Sequence, residues 1–237
     1  ANLVDSLYVI KKEIYEEKSV TLEKLKTILD ANFEGYETAR VKFLRKHEKY
    51  GNNCEEIDKM LNDITVFVKN ECLKYKMPPD NSFFIPGAFC WVMHEVLGKE
   101  CGATPDGRKA GIPFADGCGP AQGREICGPT SGILSTTSWN PSPLIGGAAY
   151  NMKFNSSVFR SKESFKKLRD LVITFLKRGG FEIQINVVNN ETLKKAKKHP
   201  EEYSDLVVRV GGFTDYFTRL SPEMQDEIIM RTEYTHA

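Results

Sequence analysis

The sequence predicts an α/β fold, with a helical N-terminal third and a glycine-bearing loop near the C-terminus. Three features lead there. Apolar residues recur at helical spacing through the first 76 of 237 residues, a Gly- and Pro-rich stretch follows, and a strand–helix–strand pattern occupies positions 146–188. With 41% hydrophobic residues the chain has material for a substantial core. One structural unit is expected, with a helical segment over 1–100 and glycine-rich loops plus a glycine-bearing C-terminal region over 101–237.

Taken in order, Leu3, Leu7, Ile10 and Ile14 form a stripe along a first helix, and Leu22, Leu25, Ile28, Leu29 and Phe33 form one along a second. A third helix follows Gly51-Asn52-Asn53, with Ile57, Met60, Leu61, Ile64, Val68 and Cys72 at helical spacing, and Pro78-Pro79 forbids its continuation. All three stripes are expected to face the core. Ten of the 18 glycines then lie between Gly102 and Gly147, interleaved with six prolines. So long an irregular stretch inside a compact chain points to function rather than filling, since it also carries Ile112, Phe114, Ile126, Trp139, Leu144 and Ile145. A strand is predicted over 146–154. A helix follows from Ser161, a side chain suited to capping, to Gly179-Gly180, with Phe165, Leu168, Leu171, Val172, Phe175 and Leu176 on its buried face. The next strand, 181–188, alternates Phe181, Ile183, Ile185 and Val187 with Glu182, Gln184 and Asn186, so one apolar face is expected and a parallel crossover joins the two strands. A short helix after Asn190, a strand over 206–210, the pair Gly211-Gly212 and a helix opened by Ser221-Pro222 complete the chain.

Charge excludes some functions. Lys plus Arg total 33 against 32 Asp plus Glu, so no polyanionic partner is indicated and nucleic acid is not expected. No apolar run approaches the roughly 20 residues of a membrane span, and the first dozen residues lack a signal-peptide pattern, so a cytoplasmic protein is expected. The six cysteines form no CxxC pair and no cluster with histidine at zinc spacing, which predicts reduced thiols and no metal site. His94, four residues after Cys90, reads as a buried, hydrogen-bonded histidine. Arg108 is read as bracing its own loop, with anion binding as the alternative.

Read locally, Arg209-Val210-Gly211-Gly212-Phe213 is a tight turn after an apolar strand; it lacks the third glycine of a dinucleotide fingerprint. Extended to its surroundings it is more specific. Together with Leu220-Ser221-Pro222-Glu223-Met224-Gln225-Asp226-Glu227-Ile228-Ile229 and Arg231-Thr232-Glu233, it resembles the C-terminal signature of glycyl radical enzymes. Gly102-Ala103-Thr104-Pro105-Asp106-Gly107-Arg108-Lys109-Ala110-Gly111 is similar to a second motif of that family, and further matches occur at 116–123, 151–154 and 186–188.

The resemblance implies that Gly212 carries a backbone radical. Loss of one α-hydrogen leaves an electron shared with the flanking amide nitrogen and carbonyl, and only glycine offers two α-hydrogens without a side chain in the way. It implies an activating enzyme that uses S-adenosylmethionine and an iron–sulfur cluster, and no metal bound by this chain. Arg209, Val210, Gly211 and Phe213 would support the radical loop, with Val210, Phe213 and Phe217 shielding it from water and oxygen. Phe89, Met152 and Phe154, in segments that resemble barrel-lining parts of the family, are candidates for a substrate-pocket wall.

In this family the glycyl radical takes hydrogen from a cysteine, whose thiyl radical then attacks substrate. None of the six cysteines has the expected Gly-Cys context with a nearby glutamate. The expectation is therefore a glycyl-radical-carrying subunit of a split enzyme, part of a ten-stranded α/β barrel, completed by a larger subunit that bears the cysteine loop. A spare-part protein that restores an oxygen-damaged enzyme, or a module that binds the activating enzyme, are the alternatives. The 103–111 and 128–130 segments look closer to the dehydratase, decarboxylase and carbon–nitrogen lyase branch than to pyruvate formate-lyase. A small organic substrate follows, and Trp139 hints at a bulkier one.

Overall fold

The computed structural model describes residues 1–236. Helices α1 (Asn2–Ile10), α2 (Leu22–Asp30), α3 (Glu37–Arg45) and α4 (Glu55–Cys72) form the N-terminal part, with a π-helical turn over Lys11–Glu16. Helix α4 ends at Cys72, ahead of the double proline, which lies between the strands of a small hairpin, β1 (Lys76–Met77) and β2 (Ser82–Phe83), and α5 (Met93–Glu100) leads into the glycine-rich stretch. That stretch is not wholly irregular, because α6 (Gly128–Thr136) lies within it. The crossover is present as predicted: β3 (Ala149–Phe154), α7 (Lys162–Lys177) and β4 (Glu182–Val187), with β3 and β4 parallel and Asn151 opposite Gln184. Then come α8 (Asn190–Lys198), β5 (Val207–Arg209), β6 (Thr214–Tyr216), α9 (Pro222–Met230) and β7 (Glu233–Tyr234). Strand β7 adds to the free edge of β3, giving a parallel sheet in the order β4-β3-β7, while β5 and β6 form a separate antiparallel hairpin.

Local chemistry explains where the late helices start. Ser161 Oγ accepts from Ser164 N–H at 3.2 Å, Asn189 Oδ1 from Thr192 N–H at 2.8 Å, and Ser221 Oγ from Met224 N–H at 3.1 Å, each filling an orphan donor of a first turn. Pro222 sits just behind its cap, where its missing N–H costs nothing. One core surrounds β3 and contains Tyr150, Met152, Phe154, Phe175, Trp139 and Tyr234; a second lies under the β5–β6 hairpin and contains Val208, Val210, Phe217, Leu193, Met224 and Ile228. Lys153 crosses between them. Its buried ammonium donates to the carbonyls of Ile228 at 2.9 Å and Ile229 at 3.0 Å, capping the C-terminal end of α9, and burial lowers its pKa to about 8. Arg108 braces its loop as expected: it is buried, donates to Ile112 O at 2.6 Å and Lys109 O at 3.1 Å, and stacks on Phe114.

Several expected core faces are not covered. On α1 the buried hydrophobic residues are Val4, Tyr8 and Val9, whereas Leu3 and Leu7 are exposed. Phe165 and Leu176 on α7 are also exposed, and only Phe175 is fully enclosed. Strand β4 is covered on both faces rather than one, since Ile183 and Ile185 pack partly buried against the β3 core. Gln184 and Asn186 are its buried residues, while Phe181 and Val187 are about half exposed. Trp139 is a core residue whose indole N–H donates to Tyr50 Oη at 3.0 Å. In all, the chain exposes 12506 Å², against roughly 10,800 Å² expected for a compact monomer of 26.8 kDa. Among the described residues no helix is long and apolar enough to cross a membrane.

Candidate functional site: a clamped glycine hairpin

Gly212 lies in the turn of the β5–β6 hairpin. Arg209 pairs with Thr214, and Val210 N–H donates to Phe213 O at 2.9 Å, which leaves Gly211 and Gly212 at the tip. Gly212 has φ +90°, a conformation that L side chains rarely adopt, so glycine is favoured there on backbone grounds alone. Gly211 is required for a different reason. A Cβ on it would sit 2.7 Å from Trp91 O, closer than packing allows. At Gly212 the direction of an L side chain faces the edge of the Trp91 indole, whose Cδ1 would lie 3.4 Å from a Cβ. Trp91 itself is exposed at φ +48°, an uncommon conformation for a bulky residue.

The tip is open on one side and held on the other. Val210 and Phe217 are fully buried beneath it, but Gly212 and Phe213 are exposed, so the expected apolar shield encloses only half of the loop. The buried polar face of β4 supplies the hold. Asn186 makes a two-way amide contact with Arg209, donating to its carbonyl at 2.9 Å and accepting its N–H at 2.8 Å. Two residues earlier on the same face, Gln184 Oε1 accepts Gly212 N–H at 3.2 Å. From the C-cap of α9, Arg231 Nη2 donates to Val210 O at 2.8 Å.

Arg231 belongs to a buried charge cluster that sequence reading did not single out. Its guanidinium grips Glu227, one turn earlier on α9, at 2.8 to 3.1 Å and lies 3.5 Å from Asp116. Gln122 and His94 complete the surround of Glu227, at 2.8 Å and 3.6 Å. Burial would raise Glu227, yet Arg231 and His94 outweigh it and hold the carboxyl down at about 2; burial wins at Asp116, which is raised. His94 is buried as expected, with Nδ1 3.3 Å from Cys90 Sγ. Burial alone would lower His94, but Cys90 and Glu227 overcome it and raise it to about 10. A raised folded pKa means that this contribution to stability is complete below the unfolded value of about 6.5 and is lost as pH rises toward 10. Thermal unfolding followed across that window should show a decline that His94→Asn flattens.

Of the candidate pocket residues, Phe89 neighbours the hairpin through Trp91, whereas Met152 and Phe154 lie in the sheet core. Met152 and Phe154 are buried in the β3 core, where Phe154 packs on Phe159 and Tyr234. Phe89 is exposed and packs beside Trp91, with ring centroids 6.3 Å apart. Among the described residues, the only atoms within 4 Å of a Cβ at Gly212, apart from its chain neighbours, belong to Trp91, so no cysteine sulfur lies there.

Comparison with known proteins agrees with the geometry. A family model described as "Glycine radical" matches residues 114–218, and one described as "Pyruvate formate lyase-like" matches 1–98. The probable dehydratase YbiW of Escherichia coli is 36% identical over 99% of this chain and 30% of its own length. The 4-hydroxyphenylacetate decarboxylase glycyl radical subunit of Clostridioides difficile is 32% identical over 98% of this chain and 28% of its own. The glycerol-bound, B12-independent glycerol dehydratase of Clostridium butyricum superimposes with a TM-score of 0.94 at 33% identity, covering 99% of this chain and 30% of that one. The chain thus spans under a third of the length of the relatives it matches.

Proposed function

The chain belongs to the glycyl radical enzyme family, and from that membership we propose that it stores a backbone radical at Gly212 and passes it to a cysteine supplied by another polypeptide. Arg209, Val210, Gly211 and Phe213 hold the loop. The observation that carries this reading is the state of Gly212: a positive-φ glycine with its backbone clamped from beneath and one face open to an incoming group. An activating enzyme using S-adenosylmethionine and an iron–sulfur cluster removes one α-hydrogen atom. The glycyl radical then takes a hydrogen atom from a thiol, so that an S–H bond breaks as the C–H bond reforms, and the sulfur radical attacks substrate.

The reaction belongs to the dehydratase, decarboxylase or carbon–heteroatom lyase type, on a small organic molecule. Phe89, exposed beside Trp91, would contribute to the wall of a shared pocket, whereas Met152 and Phe154 would support it from within the sheet. A larger, cysteine-loop-bearing subunit is the proposed partner. The surplus of exposed surface supports it, as do the uncovered side chains of Leu3, Leu7, Phe89, Trp91 and Phe165. The name of the decarboxylase glycyl radical subunit among the relatives also fits a chain that works within a larger assembly.

Mixing the anaerobic chain with the N-terminal portion of a glycyl radical relative, followed by size-exclusion chromatography and an activity assay after activation, tests this reading. A stoichiometric complex that turns over substrate only when the added portion keeps its cysteine is the expected result. A stable monomer that ignores the added portion argues against the split assembly.

A further inference from the structure

One hydrogen bond touches the proposed radical-bearing residue itself. Gln184 is 4% exposed, and its Oε1 accepts Gly212 N–H at 3.2 Å. Its Nε2 donates to the Glu182 carboxylate, which fixes the orientation of the side-chain amide and keeps the oxygen turned toward the glycine. In β4 an alternating sequence would ordinarily turn this polar residue to solvent. Here it is enclosed.

A radical at a glycine α-carbon is stabilised from both sides: the amide nitrogen donates electron density into the half-filled orbital and the carbonyl withdraws it. Accepting a hydrogen bond from that N–H leaves more density on nitrogen and strengthens the donating half. We propose that Gln184 is a positioning residue that stabilises a radical at Gly212 through this hydrogen bond. The proposal rests on the reading that Gly212 bears the radical. Activation removes a hydrogen atom from the α-carbon and leaves the N–H in place, so the bond is made in both states. Quenching by a thiol returns hydrogen from sulfur to that carbon, and its rate reports how well the radical is held.

Asn186 provides the comparison. It lies two residues along the same face and holds the hairpin by two hydrogen bonds to Arg209 without touching Gly212. A merely structural role for Gln184 would make the two residues behave alike.

The test is electron paramagnetic resonance of the anaerobically activated chain as wild type, Gln184→Met, Gln184→Glu and Asn186→Leu. Gln184→Met should shift spin from nitrogen to the α-carbon, so that the α-proton splitting widens and the nitrogen coupling shrinks. With added thiol its doublet should decay up to about fivefold faster, the factor set by one hydrogen bond of ~1 kcal/mol. Gln184→Glu keeps an acceptor and should give a splitting no wider than wild type. Asn186→Leu should lower radical yield without changing the line shape. A Gln184→Met doublet with wild-type splitting overturns the inference and leaves the radical at Gly212 standing; a wild-type chain with no doublet overturns both. If Gln184→Met does not fold, Gln184→Glu decides, because a splitting wider than wild type contradicts the proposal.

Discussion

Gly212→Ala is expected to abolish the glycine-centred radical while leaving a folded chain. The methyl group replaces the α-hydrogen that faces Trp91 and meets its indole at 3.4 Å, which is ordinary contact, so the cost is set by the backbone. Holding alanine at φ +90° costs on the order of 1–2 kcal/mol. For a chain of this size that corresponds to a fall of roughly 2–8 °C in melting temperature. Activity of the assembled enzyme should drop to background. A second readout is chemical: air admitted to the activated wild type should cut the chain at Gly212, and the alanine chain should survive intact. An alanine variant that still gives a doublet would place the radical elsewhere.

Arg231→Met carries the largest expected loss of stability. The guanidinium is buried, and it neutralises Glu227 and Asp116 while bonding to Val210 O. Removing it leaves two enclosed carboxyl groups without their guanidinium partner, and breaking a buried ion pair from one side costs about 3–5 kcal/mol. Melting temperature should fall by roughly 6–20 °C. The double variant Arg231→Met with Glu227→Gln separates the two roles of the arginine. Neutralising the second partner should recover much of the stability, since fewer charges are stranded. It should not recover radical yield, because nothing replaces the donor to Val210 O at the base of the hairpin. Full recovery of both would mean that the arginine serves the charge cluster alone.

The parts of the fold legible in the sequence were those written in local patterns. Capping residues Ser161 and Ser221 marked helix starts, and the apolar alternation of 181–188 marked a strand next to a crossover helix. What amphipathicity does not reveal is which face this chain itself covers. Leu3, Leu7, Phe165 and Leu176 sit on apolar stripes that nothing in these residues encloses. Gln184 and Asn186 show the reverse case: polar side chains become interior when the partner they face is a backbone rich in unpaired donors and acceptors. Strand β6 and strand β7, each only two or three residues long, are created by pairing and carry too few residues for a period to show.

The candidate site was legible only through resemblance. By itself, Gly211-Gly212 is a turn. The clamp beneath it is assembled from three separate parts of the sequence, namely Asp116, the pair Gln184 and Asn186, and the pair Glu227 and Arg231, and no spacing rule links the three parts. Of these, Glu227 and Arg231 fall one helical turn apart within the C-terminal signature, a separation that suits an ion pair.

The central claim is that the radical sits on the α-carbon of Gly212, and isotopic labelling tests it most directly. The chain is prepared with glycine deuterated at the α-carbon, activated without oxygen, and compared with unlabelled chain by electron paramagnetic resonance. A doublet in the unlabelled protein that collapses to a single line on labelling, and that is absent from Gly212→Ala, is the result predicted here. A doublet indifferent to the label, or no radical at all from a folded chain exposed to a competent activating enzyme, would contradict it.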